Sequence, residues 1–411
     1  TGTVDHADEW LPIRPGTDAA LQLAVVHVLF AEGLVDLGRL GDRLRGVDEV
    51  ERLARAFPPE RVAEACGIPA EEIRTLARGV AAAPRAVWYA RIGTCNQEFG
   101  TLASWLPDVI NALTGNLDTE GGLMWGNPVA RSATLMDRGE RPAFGRFHSR
   151  VRGAPEVMGQ FPLSCLAEEI ATPGPGQLKA LVTVAGNPVI SAPDAGRLDE
   201  ALPQLDCMIS IDNALNETTR HAHVIFPGLS PLEQPHYDEL IWSWAVRSAA
   251  KWSPPLFPPT DGRPEEWEIL LRVGAMIAGI PGDDVDVAAI DDGFFSAFAE
   301  MWGVDPAVAL TASPEPGPVR LNDLAIRTGP WGDRYGEVAD GLTLDALRAA
   351  PHGIDLGPMM PRLDEVVCHP DGCVDLAPDH VVADLPRLDA SLDRPRDGLV
   401  LVSRRHVRSN N

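Results

Sequence analysis

Between residues 180 and 227 the chain alternates in a way that leaves few folds open. Three short apolar runs, ALVTVA, CMISID and HVIFP, are separated by the helix-like APDAGRLDEALPQL and then by a polar loop. Short β-rich runs alternating with helices read as a parallel α/β sheet, because parallel neighbours need a crossover between them. Each run stops abruptly on residues that strands avoid. Gly186-Asn187-Pro188 follows the first, Asp212-Asn213 the second, and GTCNQ follows a further strand-like run, AVWYARI.

In open parallel sheets, ligands bind outside the carboxyl ends of the strands. Glycine lets a ligand approach the backbone, asparagine offers donors and acceptors, and an acid such as Asp212 can accept paired N–H bonds from a base or a ribose. Three such tips together point to a nucleotide-like ligand. The chain has neither G-x-G-x-x-G nor a Walker A loop, so neither an ordinary NAD site nor a P-loop is supported.

Elsewhere, Thr17 is placed to cap a mostly apolar helix running to Gly33. PPERVAEACGIPAEEIRTLARGV reads as two short helices. LASWLPDVINALTGN reads as a helix kinked at Pro107 and ended by Gly115-Asn116. Residues 121–178 look like surface excursions, EEWEILLRVGAMIAG is a helix, and 303–395 reads as irregular, an insert or linker. The expected domains are an α/β unit over 1–176, a second over 177–302, the insert 303–395, and over 396–411 the first strand of a C-terminal β-barrel.

The formal charge of −24, with Lys179 and Lys251 the only lysines, argues against a general nucleic-acid binder. A helix–turn–helix reading of PERVAEACGIPAEEIRTLARG fails on the same ground. Its second helix opens Ala70-Glu71-Glu72, which would face phosphates with like charge, so an αα-hairpin packed on the sheet is expected. No apolar run spans a membrane. Six scattered cysteines indicate reduced thiols and a cytoplasmic setting, unless a twin-arginine export signal lies upstream. CHPDGC has no second cysteine pair at metal-site spacing, and His221, His223 and His236 have no ligand spacing.

Five segments, IRPGTDAAL, GTCNQEFGTLASWLPDVINALTGNLDTEGG, AGNPVISAPD, ISIDNALNETTRHAHVIFPGLSPLE and RRHVRSNN, occur in this order. Together they resemble molybdopterin oxidoreductases of the dimethyl-sulfoxide-reductase type, a group that includes formate dehydrogenases and nitrate reductases. The resemblance covers about 1–275 and the last dozen residues. It implies parallel-sheet dinucleotide-binding domains with helices on both faces. It also implies molybdenum or tungsten held between two molybdopterin guanine dinucleotides, a small-molecule substrate and a redox partner.

On this resemblance Asp18 reads one guanine, with Gly16 and Thr17 shaping its loop. Asp212 reads the other, with Glu217 and Thr218 packing the same loop. Gly186, Asn187 and Pro188 line a phosphate or ribose. Gly93, Thr94, Cys95 and Gln97 lie near the pterins, with Cys95 not a metal ligand. Arg408, Ser409 and Asn410 begin the closing domain's cofactor loop. His223 and PHYDEL depart from the family's usual residues. The family's 4Fe-4S cysteines and metal ligand lie upstream of RPGTD, so the chain is expected to be a fragment that holds no metal alone. A non-catalytic member of the same fold is the alternative.

Overall fold

The computed structural model describes residues 2–131, 144–260, 262–395 and 398–402. Among these, one compact unit takes 2–125, 359–395 and 398–402, and another takes 126–131, 144–260 and 262–358.

The first unit is a helical layer around α1 (Asp18–Ala31), whose Ala, Val and Leu side chains are buried on nearly every side. Against it pack α2 (Pro59–Cys66), α3 (Ala70–Ala82) and α4 (Gly100–Leu113). Gly67 ends α2 with a φ of +79°, a conformation that L side chains rarely adopt. Val62 and Ile73 are fully buried and Leu76 is half-buried against the same core. The hairpin therefore packs on α1 rather than on a sheet. The charged side of α3 is engaged as well: Arg78 donates to both carboxylate oxygens of Glu32 at 2.7 and 2.8 Å.

Three local expectations change. The Thr17 side chain caps nothing; its hydroxyl donates to the Arg14 carbonyl at 2.6 Å. Pro107 sits inside a continuous α4. Lacking an N–H, it cannot bond the Ala103 carbonyl one turn back, and Gln22 Nε2 of α1 takes that carbonyl at 3.2 Å. AVWYARI joins no ladder, and its last residue, Ile92, opens a one-turn helix. The buried Asn111 amide of α4 pairs with Trp88 instead, accepting from its N–H at 2.9 Å and donating to its carbonyl at 2.8 Å.

Residues 303–395 are not an irregular insert. Helices span Pro306–Ala312, Pro318–Arg327, Leu344–Arg348 and Leu385–Ser391. The later part returns to the first unit, where the buried Asp118 carboxylate accepts the Arg362 and Leu363 N–H groups at 3.0 and 2.9 Å. Leu363, Leu385 and Leu388 join the core around α1.

The second unit holds the expected parallel sheet: β1 (Ala180–Val184), β2 (Cys207–Ile211) and β3 (Val224–Phe226), in that order across the sheet. Its register runs from Ala180 opposite Cys207 to Val184 opposite Ile211, and from Ile209 opposite Val224 to Ile211 opposite Phe226. Helices Leu166–Ala171 and Ala195–Ala201 pack on the face carrying Leu181 and Met208. On the other face Ile211 is buried, while Val184, Val224 and Phe226 remain exposed.

The boundaries expected at 176 and 302 both fall inside this unit. Helix Leu166–Ala171 already belongs to the sheet's core. Beyond 302, Ala309 and Leu324 pack on Phe295 and Ala299 of the preceding helix, Val287–Met301. No closed barrel forms among the described residues, and Leu399–Val402 take no strand and are exposed. No helix among them is long and apolar enough to cross a membrane.

Candidate functional site

At the end of β1 the chain turns sharply. Ala185 has a φ of +48°, an uncommon conformation for a residue with a Cβ, while its N–H still donates to the Ile211 carbonyl at 2.9 Å. Pro188 then opens the one-turn helix Pro188–Ser191, where its missing N–H is not needed. The Thr218 hydroxyl donates to Asn187 Oδ1 at 2.7 Å and accepts the Val189 N–H at 3.0 Å. Asn187 Nδ2 donates to Glu217 Oε2 at 2.8 Å, and this bond holds the Glu217 carboxyl below its ordinary range. Glycine, asparagine and proline end the strand here because the turn is fastened to the loop after β2.

Beyond β2, the half-buried Asp212 closes its own loop. Oδ1 accepts the Ala214 N–H at 2.9 Å and Oδ2 accepts Asn216 Nδ2 at 3.1 Å. Asn216 Oδ1 in turn accepts the N–H groups of Thr218 and Thr219. Gly186, Asn187, Pro188, Asp212, Glu217 and Thr218 thus gather at one end of one sheet. The Asn187 amide is held by these two protein partners, and one N–H of its Nδ2 has no partner among the described residues.

A pocket of about 510 Å³ opens at these strand ends, within the size range of ligand sites. Ala185, Asp212, Asn213, Gln234, His236 and Glu266 are among its lining residues, and no lysine or arginine is. Two carboxylates without a cation suit the N–H-rich edge of a base better than a phosphate. Sequence reasoning had Asn213 at its strand tip but missed Ala185, Gln234, His236 and Glu266 as site residues. The departure at PHYDEL was the one signal, since it contains His236. Glu266 begins the helix Glu266–Ile277 and comes so close to Gly228 that a Cβ there would lie 2.8 Å from it.

In the first unit the remaining described candidates gather at another end. Gln22, one turn into α1, meets Ala103, one turn into α4, so both helices start at the same end of the layer. Gly16, with φ +80°, Thr17 and Asp18 lie at the start of α1, and Asp18 has no side-chain hydrogen bond among the described residues. Gly93, Thr94 and Cys95 lie in the one-turn helix Ile92–Cys95, and Gln97 in the link to α4. A Cβ on Gly100 would come 2.2 Å from the Cys95 carbonyl oxygen, so only glycine fits there. Thr94 and Gln97 bond locally, to the carbonyls of Arg91 and Gly93. Cys95 is exposed, with Sγ 3.4 Å from Ser104 Oγ.

The three histidines serve separate partners. His221 pairs with Asp199 at 2.6 Å, His223 Nδ1 accepts the Met208 N–H at 2.9 Å, and His236 bonds Ser253 through its backbone. Arg408, Ser409 and Asn410 lie outside the described residues.

The family model for molybdopterin oxidoreductases matches residues 1–275. The menaquinone reductase molybdopterin-binding-like subunit of Nitratidesulfovibrio vulgaris is 28% identical over 313 residues, 74% of this chain and 40% of that protein. The F420-dependent formate dehydrogenase subunit alpha of Methanocaldococcus jannaschii is 27% identical, over 55% of this chain and 35% of its own length. A nitrate reductase of Klebsiella oxytoca is 28% identical, over 56% and 27%. The chain therefore spans less than half the length of these relatives. A solved structure of acetylene hydratase from Pelobacter acetylenicus matches in fold with a TM-score of 0.65 at 19% identity, over 94% of this chain and 51% of that one. With two thirds of its length under one family model and its strand tips built as described, the chain belongs to the molybdopterin oxidoreductase family.

Proposed function

We propose that this chain is the dinucleotide-binding part of a molybdopterin-dependent oxidoreductase that holds molybdenum or tungsten between two molybdopterin guanine dinucleotides. The observation that carries this reading is the pocket at the strand ends, which has carboxylates and no lysine or arginine. Asp212 accepts the N1–H and N2–H of one guanine. Its loop bonds hold the carboxylate in place, and each oxygen keeps a further lone pair. Adenine offers no such pair of donors, so the site selects the base by leaving buried groups unpaired with the wrong one. Asp18 serves the second guanine at the start of α1, and Gly93, Thr94, Cys95 and Gln97 border the pterins. When bound, the cofactor supplies oxygen-atom or hydride transfer at the metal, with electrons leaving through an iron–sulfur cluster. The relatives named as subunits support a redox partner protein beside a small-molecule substrate. The scattered free cysteines support a cytoplasmic setting.

The test uses the natural full-length protein, purified from cells that make the cofactor. Metal is measured by elemental analysis, and GMP released by acid hydrolysis is measured by chromatography. Both should be present in the wild type and fall in Asp18→Ala and Asp212→Ala. Loading that neither substitution alters would refute the assignment.

A further inference from the structure

A second pocket, of about 520 Å³, lies in the helical part of the second unit, and all its lining residues but Arg131 lie beyond the residues the family model matches. Arg131, Trp302, Asp305, Arg334, Tyr335 and Glu337 are among its lining residues. The chain carries 59 acidic against 35 basic side chains, and most described arginines are bound to a carboxylate or a carbonyl. Among the described residues, the guanidinium groups with neither a hydrogen bond nor an ion pair are those of Arg131, Arg197, Arg263 and Arg334. Two of these four line this one pocket. They stay unpaired although Asp305 and Glu337 line it too. Asp305 is turned to the Ala307 N–H at 2.8 Å, where it caps the next helix.

The wall is rigid. Arg131 lies over the Trp302 ring, 5.3 Å from its centroid, and its N–H donates to the Ala325 carbonyl at 2.7 Å. Arg334, Tyr335 and Gly336 follow one another with φ of +49°, +58° and +94°, a run that residues with a Cβ seldom adopt. Asp333 holds this turn. Its Oδ1 accepts the Tyr335 N–H at 3.0 Å, its carbonyl accepts the Gly336 and Val338 N–H groups at 3.0 and 2.9 Å, and its Oδ2 accepts Arg327 Nη1 at 2.5 Å. Strained backbone held by its surroundings in this way is characteristic of ligand clamps.

We propose that this pocket binds a small organic oxyanion, a carboxylate or a phosphate ester, between the Arg131 and Arg334 guanidinium groups. Both groups present planar forks of N–H donors suited to such an anion, and stacking on Trp302 orients one of them beforehand. The site is separate from the strand-end pocket and does not depend on the cofactor reading.

The test is calorimetric titration of the chain with inorganic phosphate and, separately, with succinate. Saturable binding of at least one is expected. It should weaken about tenfold or more in both Arg131→Gln and Arg334→Gln, the loss of one charge-assisted contact each. It should stay unchanged in Arg263→Gln, which removes an unpaired arginine outside the pocket. Circular dichroism on each variant separates lost binding from lost folding. Binding of phosphate alone or succinate alone assigns the ligand class. No binding of either at millimolar concentration, or binding undiminished in both pocket variants, overturns the proposal.

Discussion

Asp18 and Asp212 are the two acids proposed to read guanine, and the protein treats them differently. Asp212 ends a strand and is tied by two hydrogen bonds into a loop that Thr218 fastens to the neighbouring tip. Asp18 opens a helix, and its carboxylate has no hydrogen-bond partner among the described residues. One site is built before any ligand arrives; the other is held in place only by the helix that carries it. A substitution at Asp212 therefore disturbs structure and binding together. A substitution at Asp18 disturbs binding almost alone.

The largest effect that could break this contrast lies at Thr218. Thr218→Val leaves Asn187 Oδ1 without its donor and the Val189 N–H without its acceptor, and should lower stability by about 3 kcal/mol. Urea unfolding measures this, and a loss near zero would mean the two tips are not fastened through this hydroxyl. Next comes the direct comparison. Asp212→Ala removes a charged acceptor of two hydrogen bonds and should cost about 2 kcal/mol. Asp18→Ala loses only a favourable charge at a helix start and should cost about 0.5 kcal/mol. Equal costs in the same unfolding assay would remove the distinction.

The smallest effect is in pH. The Asn187 amide lowers the Glu217 carboxyl from its ordinary value of 4.5, so the folded state favours the ionised form. That contribution is present above 4.5 and is lost as pH falls through the lowered value. Wild type should therefore lose slightly more stability than Glu217→Gln on acidification below 4.5; parallel acid-unfolding profiles would count against this bond.

The sheet was legible because its runs are apolar, β-branched and bounded by glycine, proline and asparagine. AVWYARI has the same character yet is not a strand. Composition specifies an extended segment, whereas its partner, the Asn111 amide, comes from a helix further along the chain. The helix continues through Pro107 with a related long-range partner, since Gln22 of a distant helix takes the Ala103 carbonyl that Pro107 cannot bond. In 303–395, prolines that read as breakers are helix starts, with Pro306 and Pro318 in the first turns of their helices. Of the candidate site, the tips were legible as local motifs. Gln234, His236 and Glu266 were not, because only the folded chain brings them to Asp212.

The central claim is that Asp212 reads the guanine edge, and calorimetric titration of this chain with GDP and ADP tests it directly. GDP carries the base, ribose and pyrophosphate of the proposed ligand's tail, and ADP differs from it in the base alone. GDP should bind about tenfold or more tightly than ADP, the value of one additional satisfied pair of hydrogen bonds to the carboxylate, and Asp212→Ala should abolish that preference. Equal affinity for the two nucleotides in the wild type, or a preference that survives Asp212→Ala, would contradict the claim.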